Sequence, residues 1–96
     1  MTRDELLDKL IAVKSELNEK FGIEQIALFG SYARDEATER SDIDLMIVKM
    51  KKKDYFTRAK AIYFLEKHLG KKVDMGYFDS IRTTLQHQIK QDMIYV

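Results

Sequence analysis

The chain has 96 residues, with 17 lysines and arginines against 16 aspartates and glutamates, a formal net charge of +1. At 45% hydrophobic and 34% charged residues it is composed like one small folded domain over residues 1–96, not like a disordered segment. The even charge balance disfavours a dedicated nucleic-acid coat, and the absence of cysteine excludes a disulfide scaffold, a thiolate metal site and a cysteine nucleophile.

No run approaches the roughly 20 apolar residues of a membrane span. The charged start Met1–Glu5 lacks the apolar core of a signal peptide. The expected address is therefore the cytoplasm, with no membrane partner.

The first 20 residues predict a helix. Leu6, Leu7, Leu10, Val13, Leu17 and Phe21 recur at three-to-four spacing. Thr2 with Glu5 fits a capping box, and Gly22 fits the left-handed residue that stops a helix. Ile23–Phe29 is short, apolar and ends at a glycine, as a buried strand does. Residues 30–41 read as a polar connection with one helical turn near Tyr32–Ala37. Asp42–Val48 predicts a second strand, and Lys49 with Lys51–Lys53 a solvated turn.

Tyr55–Leu69 predicts a second long helix, capped by Asp54 and ended by Gly70. Its apolar stripe is drawn through Tyr55, Phe56, Ala59, Ile62, Tyr63, Leu65 and Leu69. Val73–Phe78 predicts a third strand. Ser80 is placed as the cap of a last helix running to about Gln91, and Met93–Val96 as a short strand at an edge. The fold class is α+β: a small mixed sheet with helices packed on one face.

The chemistry concentrates at Gly30-Ser31 and Asp42-Ile43-Asp44. Residues two apart on a strand share a face, so Asp42 and Asp44 are expected to project together, roughly 6–7 Å apart at Cα. Two such carboxylates either face solvent or hold a hard divalent cation between them. A pair of such ions, about 3.5–4 Å apart, clamps the attacking and leaving oxygens of a phosphoryl displacement. Gly30-Ser31, directly after a strand, reads either as an ordinary turn or as a cradle in which backbone amides and a hydroxyl meet phosphate oxygens. Asp74 is either an exposed acid or a third carboxylate. If Val73, Met75 and Tyr77 pack inward, it faces the other side with Gly76, beside Asp42 and Asp44.

Gly30-Ser31-Tyr32-Ala33-Arg34, followed after ten residues from Ser31 by Asp42-Ile43-Asp44-Leu45, resembles the nucleotidyltransferase superfamily related to DNA polymerase beta. The nearest likeness is to its minimal members, the MNT proteins paired with HEPN toxins. The resemblance spans nearly the whole chain. It implies a palm-like fold, ATP as the nucleotide, and two magnesium ions held by Asp42, Asp44 and Asp74. It implies that Gly30 and Ser31 hold the triphosphate, and that Asp74 also activates the acceptor. Arg34 matches a basic position of the motif, open to a bidentate phosphate contact or to an ion pair with Asp35, Glu36 or Asp42. The motif continues with glycine after the arginine, where this chain has Asp35. The implied reaction moves AMP from ATP to a tyrosine hydroxyl of a HEPN toxin, silencing it; the alternative is an antitoxin that neutralises its partner by binding alone. Tyr55, Phe56, Tyr63 and Phe64 cover two faces of one helix, which points to an oligomer or a protein partner.

Overall fold

The computed structural model describes all residues from Met1 to Val96. The first helical region is two helices, α1 (Arg3–Ala12) and α2 (Lys14–Phe21). Val13 interrupts them at φ −105° and ψ 5°, its N–H bonding back three residues to Leu10. The apolar stripe runs through the break: Leu6, Leu10, Val13 and Leu17 are all fully buried. The capping box forms as expected, with Thr2 Oγ1 accepting from the Glu5 N–H at 3.2 Å and Glu5 Oε1 accepting from the Thr2 N–H at 3.0 Å. Gly22 ends α2 at φ +68°.

Strand β1 (Ile23–Phe29) leads into a single helical turn, α3 (Gly30–Ala33), and after a loop into β2 (Ile43–Met50). Helix α4 is Tyr55–Leu69, strand β3 is Val73–Tyr77, helix α5 is Thr83–Asp92 and strand β4 is Ile94–Tyr95. The sheet order is β3-β2-β1-β4, so β4 is an edge strand as expected. β1 runs antiparallel to β2 and β4, and β2 runs parallel to β3. The sheet is therefore mixed and the fold α+β.

Alternation sorts the side chains of the sheet. Ile26, Leu28, Ile43, Leu45, Ile47, Val73, Met75 and Tyr77 join the main core with residues of α1, α2, α3 and α4. The opposite face carries Ala27, Met46 and Gly76, and Ala27 and Met46 gather with Phe78 and Met93 into a smaller cluster. Ile89 of α5 packs on that second cluster. Four helices thus share one face, and α5 lies against the other with no buried residue of its own.

Several boundaries differ from those the sequence suggests. β2 begins at Ile43, one residue after Asp42, and extends through Lys49 to Met50. Ser80 ends a short 3-10 turn, Phe78–Ser80, and does not cap α5, which starts at Thr83. The Gln86 side chain instead ties that turn to the helix by donating to the Ile81 carbonyl at 2.9 Å. On α4 the buried residues are Ala61, Leu65 and Leu69, while Tyr55, Phe56, Ala59 and Tyr63 of the expected stripe face outward.

Helix α4 starts where its cap dictates. Asp54 accepts from the Phe56 N–H at 3.0 Å and from the Thr57 hydroxyl at 3.0 Å. These bonds, that from Thr57 first, hold the Asp54 carboxyl below its ordinary range. A depressed folded-state pKa gives stability that is present above the unfolded value and lost as pH falls through the folded one. We expect Asp54→Asn to flatten the acid limb of the melting temperature against pH, with the difference from wild type shrinking as Asp54 protonates. A constant difference between the two proteins across that limb would show that the cap's charge plays no part.

Candidate active site

The acids meet where β1, β2 and β3 lie side by side. Parallel pairing sets Asp44 opposite Asp74, and antiparallel pairing sets Asp44 opposite Phe29. Both aspartates alternate with core residues, so they share the sheet face away from the four-helix layer. Asp44 is half-buried, whereas Asp74 and Asp42 are exposed. Burial raises the Asp44 carboxyl above its ordinary pKa, the charges of Asp74 and Asp42 raise it further, and Arg34 opposes them. Two neighbouring negative charges are thus close enough to be felt at the Asp44 carboxylate.

A hard divalent cation fits this arrangement chemically: the donors are carboxylate oxygens, and their mutual repulsion is what such an ion relieves. The acids do not form a ready-made cage, since no group of three or more aspartate, glutamate, histidine or cysteine side chains converges to ligating geometry. Asp42 lies one residue before β2, and its charge is felt at Asp44.

Gly30 brings the turn against the acids. It sits at φ +75°, and a Cβ on it would lie 2.5 Å from Asp44 Oδ2. Only glycine lets the chain turn so close to that carboxylate. Ser31 follows, half-buried, at the start of α3, where the first amides of a helical turn lack intrahelical partners. The expected helical turn lies at Gly30–Ala33, two residues earlier than the sequence suggests.

Arg34 follows α3 as an exposed side chain. Its Nε lies 3.2 Å from Glu36 Oε2 and its Nη1 4.0 Å from Asp92 Oδ2. Both of its carboxylate partners are surface groups, so an incoming phosphate competes with weak pairs. Asp35, where the resemblance implies a glycine, adopts φ 59°. The backbone there has the left-handed form that glycine takes without strain. Phe29, Gly30 and Arg34 form one wall of a cleft of about 280 Å³, and Gln88, Ile89 and Asp92 of α5 form the other.

Two residues of α4 hold β3, and sequence reading missed both. Glu66 Oε2 accepts from the Val73 N–H at 3.0 Å, and Arg58 Nη1 donates to the Met75 carbonyl at 2.8 Å. They brace the backbone on either side of Asp74. A signal was present for Arg58: it stands at i, i+3, i+7 spacing with the buried Ala61 and Leu65, a polar residue on a core-facing stripe.

The close approach at Gly30 generates a direct test. We expect Gly30→Ala to cost about 1–3 kcal/mol, from the left-handed backbone and the collision with Asp44. That corresponds to a fall in melting temperature of very roughly 4–20 °C for a domain of this size. A melting temperature within a degree of wild type would mean that the turn does not press on Asp44.

The comparisons with known proteins agree with this geometry. The family model described as "Nucleotidyltransferase domain" matches residues 10–96. "Protein adenylyltransferase MntA" of Thermococcus cleftensis is 32% identical over 100% of this chain and 97% of its own length. A solved structure named "putative minimal nucleotidyltransferase" superposes with a TM-score of 0.80 at 29% identity, over 98% of this chain and 95% of the other. The structure of a toxin-antitoxin with AMP-PNP superposes with a TM-score of 0.71 at 26% identity, over 92% of this chain and 69% of the other. An in-register pair of aspartates, a glycine-serine turn pressed against one of them and a family match over nearly the full length agree: this chain belongs to the nucleotidyltransferase domain family.

Proposed function

We propose that this protein is an antitoxin that transfers AMP from ATP to a tyrosine hydroxyl of a HEPN-type toxin. The observation that carries the reading is the Asp44–Asp74 register beside Gly30, which sets a glycine-serine turn against paired carboxylates. The relative named MntA is called a protein adenylyltransferase, and a toxin-antitoxin with AMP-PNP shares the fold. Both support a nucleotide substrate and a protein acceptor. The cytoplasm, where ATP is abundant, is the expected setting.

In this reading Asp42, Asp44 and Asp74 hold two magnesium ions. Bound there, the ions supply charge neutralisation of the triphosphate and a lowered pKa for the attacking hydroxyl. Gly30 and Ser31 orient the phosphates through backbone amides and the serine hydroxyl. Arg34 exchanges Glu36 and Asp92 for phosphate oxygens, to which its guanidinium donates two parallel bonds. Asp74, the acid on the β3 side, accepts the proton of the acceptor hydroxyl. That oxygen attacks the α-phosphorus, the bond to the β-phosphate oxygen breaks, and pyrophosphate leaves. The chain contributes position and charge compensation.

A second reading, neutralisation by binding without transfer, draws on Asp35. Its carboxylate follows Arg34 directly and adds negative charge beside the proposed triphosphate site. The experiment separates the two. The protein is incubated with α-labelled ATP, magnesium and the product of the neighbouring gene as the candidate toxin. We expect label on the toxin, and a loss of at least about 100-fold in Asp42→Asn or Asp44→Asn, equivalent to about 2.7 kcal/mol or more of metal-assisted stabilisation. Toxin neutralised without label, by wild type and both variants alike, would leave the binding reading in place of transfer.

A further inference from the structure

Helix α4 gathers exposed apolar surface that the nucleotidyl chemistry does not use. Tyr55 is 74% exposed, Phe56 81% and Tyr63 60%. Phe56, Lys60, Tyr63 and Lys67 stand at i, i+4, i+7 and i+11, so they form one outward stripe in which aromatic rings alternate with ammonium groups. Beside the stripe, between α2 and α4, lies a shallow, open depression of about 510 Å³. Its aromatic wall is Phe21 against Phe64, with ring centroids 5.5 Å apart. His68 stacks on Phe64, and Lys67 lies 5.1 Å from the centre of the Tyr63 ring.

Every charged residue lining this depression is basic. The single acid of α4, Glu66, is turned to the Val73 amide, and Glu16 on α2 pairs with Lys20 at 3.0 Å. Lys60 and Lys67 form no ion pair. An aromatic trough edged by uncompensated ammonium groups is complementary to an amphipathic helix whose polar flanks are acidic. The 15-residue α4 is about 22 Å long, enough to meet some four turns of such a helix.

We propose that this face is the docking surface for the partner toxin, and that it receives an acidic, apolar-faced helix of that protein. The inference rests on the toxin-directed reading above and adds the surface and the chemistry of its occupant. The depression belongs to the helical layer, and Asp44 and Asp74 stand on the opposite face of the sheet. A toxin held on α4 leaves the nucleotide face open, and its acceptor tyrosine reaches Asp74 by extending past β3, the edge strand that α4 borders. Docking and transfer are separable by mutation.

Binding of the same candidate toxin is measured by isothermal titration calorimetry for wild type, Lys60→Glu with Lys67→Glu, and Tyr63→Ala. These residues are exposed, so the variants are expected to fold, which their melting curves check. We expect affinity for the toxin to fall about tenfold or more in each variant, and binding of ATP with magnesium to stay within about twofold. We also expect wild-type affinity to weaken as salt rises. Unchanged toxin affinity in the folded variants would overturn the docking surface while leaving the adenylyl-transfer reading intact. A wild-type protein that does not bind the toxin at all would overturn both. Tighter binding of oligouridylate than of toxin, lost in the charge-reversed variant, would assign the face to single-stranded RNA. A dimer in sedimentation that Tyr63→Ala dissolves would assign it to a second copy of the chain. Either result contradicts the proposal.

Discussion

The organising constraint of this molecule is like-charge repulsion held in place by a hydrophobic core. Asp44 is half-buried with Asp74 in register beside it and the charge of Asp42 within reach, and Arg34 is the cation that opposes them. Left to itself, such a grouping would spread apart. It persists because each acid is one step from core residues that cannot move: Ile43 and Leu45 flank Asp44, and Val73 and Met75 flank Asp74, all of them nearly or fully buried. Strand alternation converts the burial of those neighbours into the direction of the carboxylates. The energy that fixes the site thus comes from the apolar side of the sheet and is felt on the polar side.

Helix α4 connects the two sides. Its inner stripe of Ala61, Leu65 and Leu69 fills the core. Arg58 and Glu66 reach the outer edge of β3 and bond the backbone around Asp74. These bonds also occupy groups that would otherwise stand open on an edge strand, where unpaired backbone invites association. The outward stripe of the same helix carries aromatic and basic residues with no part in the chemistry. One helix therefore braces the third acid from within and offers a surface to the outside.

Much of this was legible in the sequence because it rests on local rules. β1 and α4 fall at the residues that periodicity and capping indicate, and Thr2, Gly22, Asp54 and Gly70 act at their helix ends as expected. The pairing of Asp74 with Asp44 follows from alternation once β3 lies next to β2. What stayed hidden depends on contacts distant in sequence or on departures from ideal spacing. Apolar spacing continues through Val13, so nothing marks the break there. Asp42 falls outside β2 because ladder bonding begins with the Ile43 N–H donating to the Lys72 carbonyl, a partner 29 residues away. The aromatic residues of α4 read as core because hydrophobicity alone does not say which face of a helix meets the sheet. Nor does the sequence show that Asp35 adopts a left-handed backbone, which only glycine takes without strain.

The proposed chemistry requires Gly30, Ser31 and the three aspartates to form one metal-nucleotide site. Paramagnetic relaxation tests it most directly, with ATP and a low level of manganese as the probe and backbone amide resonances as the readout. Broadening is expected to centre on residues 30–31, 42–44 and 74, to fade toward α1 and α2, and to vanish in Asp44→Asn. Broadening centred away from those residues, or unaltered by that substitution, would contradict that site.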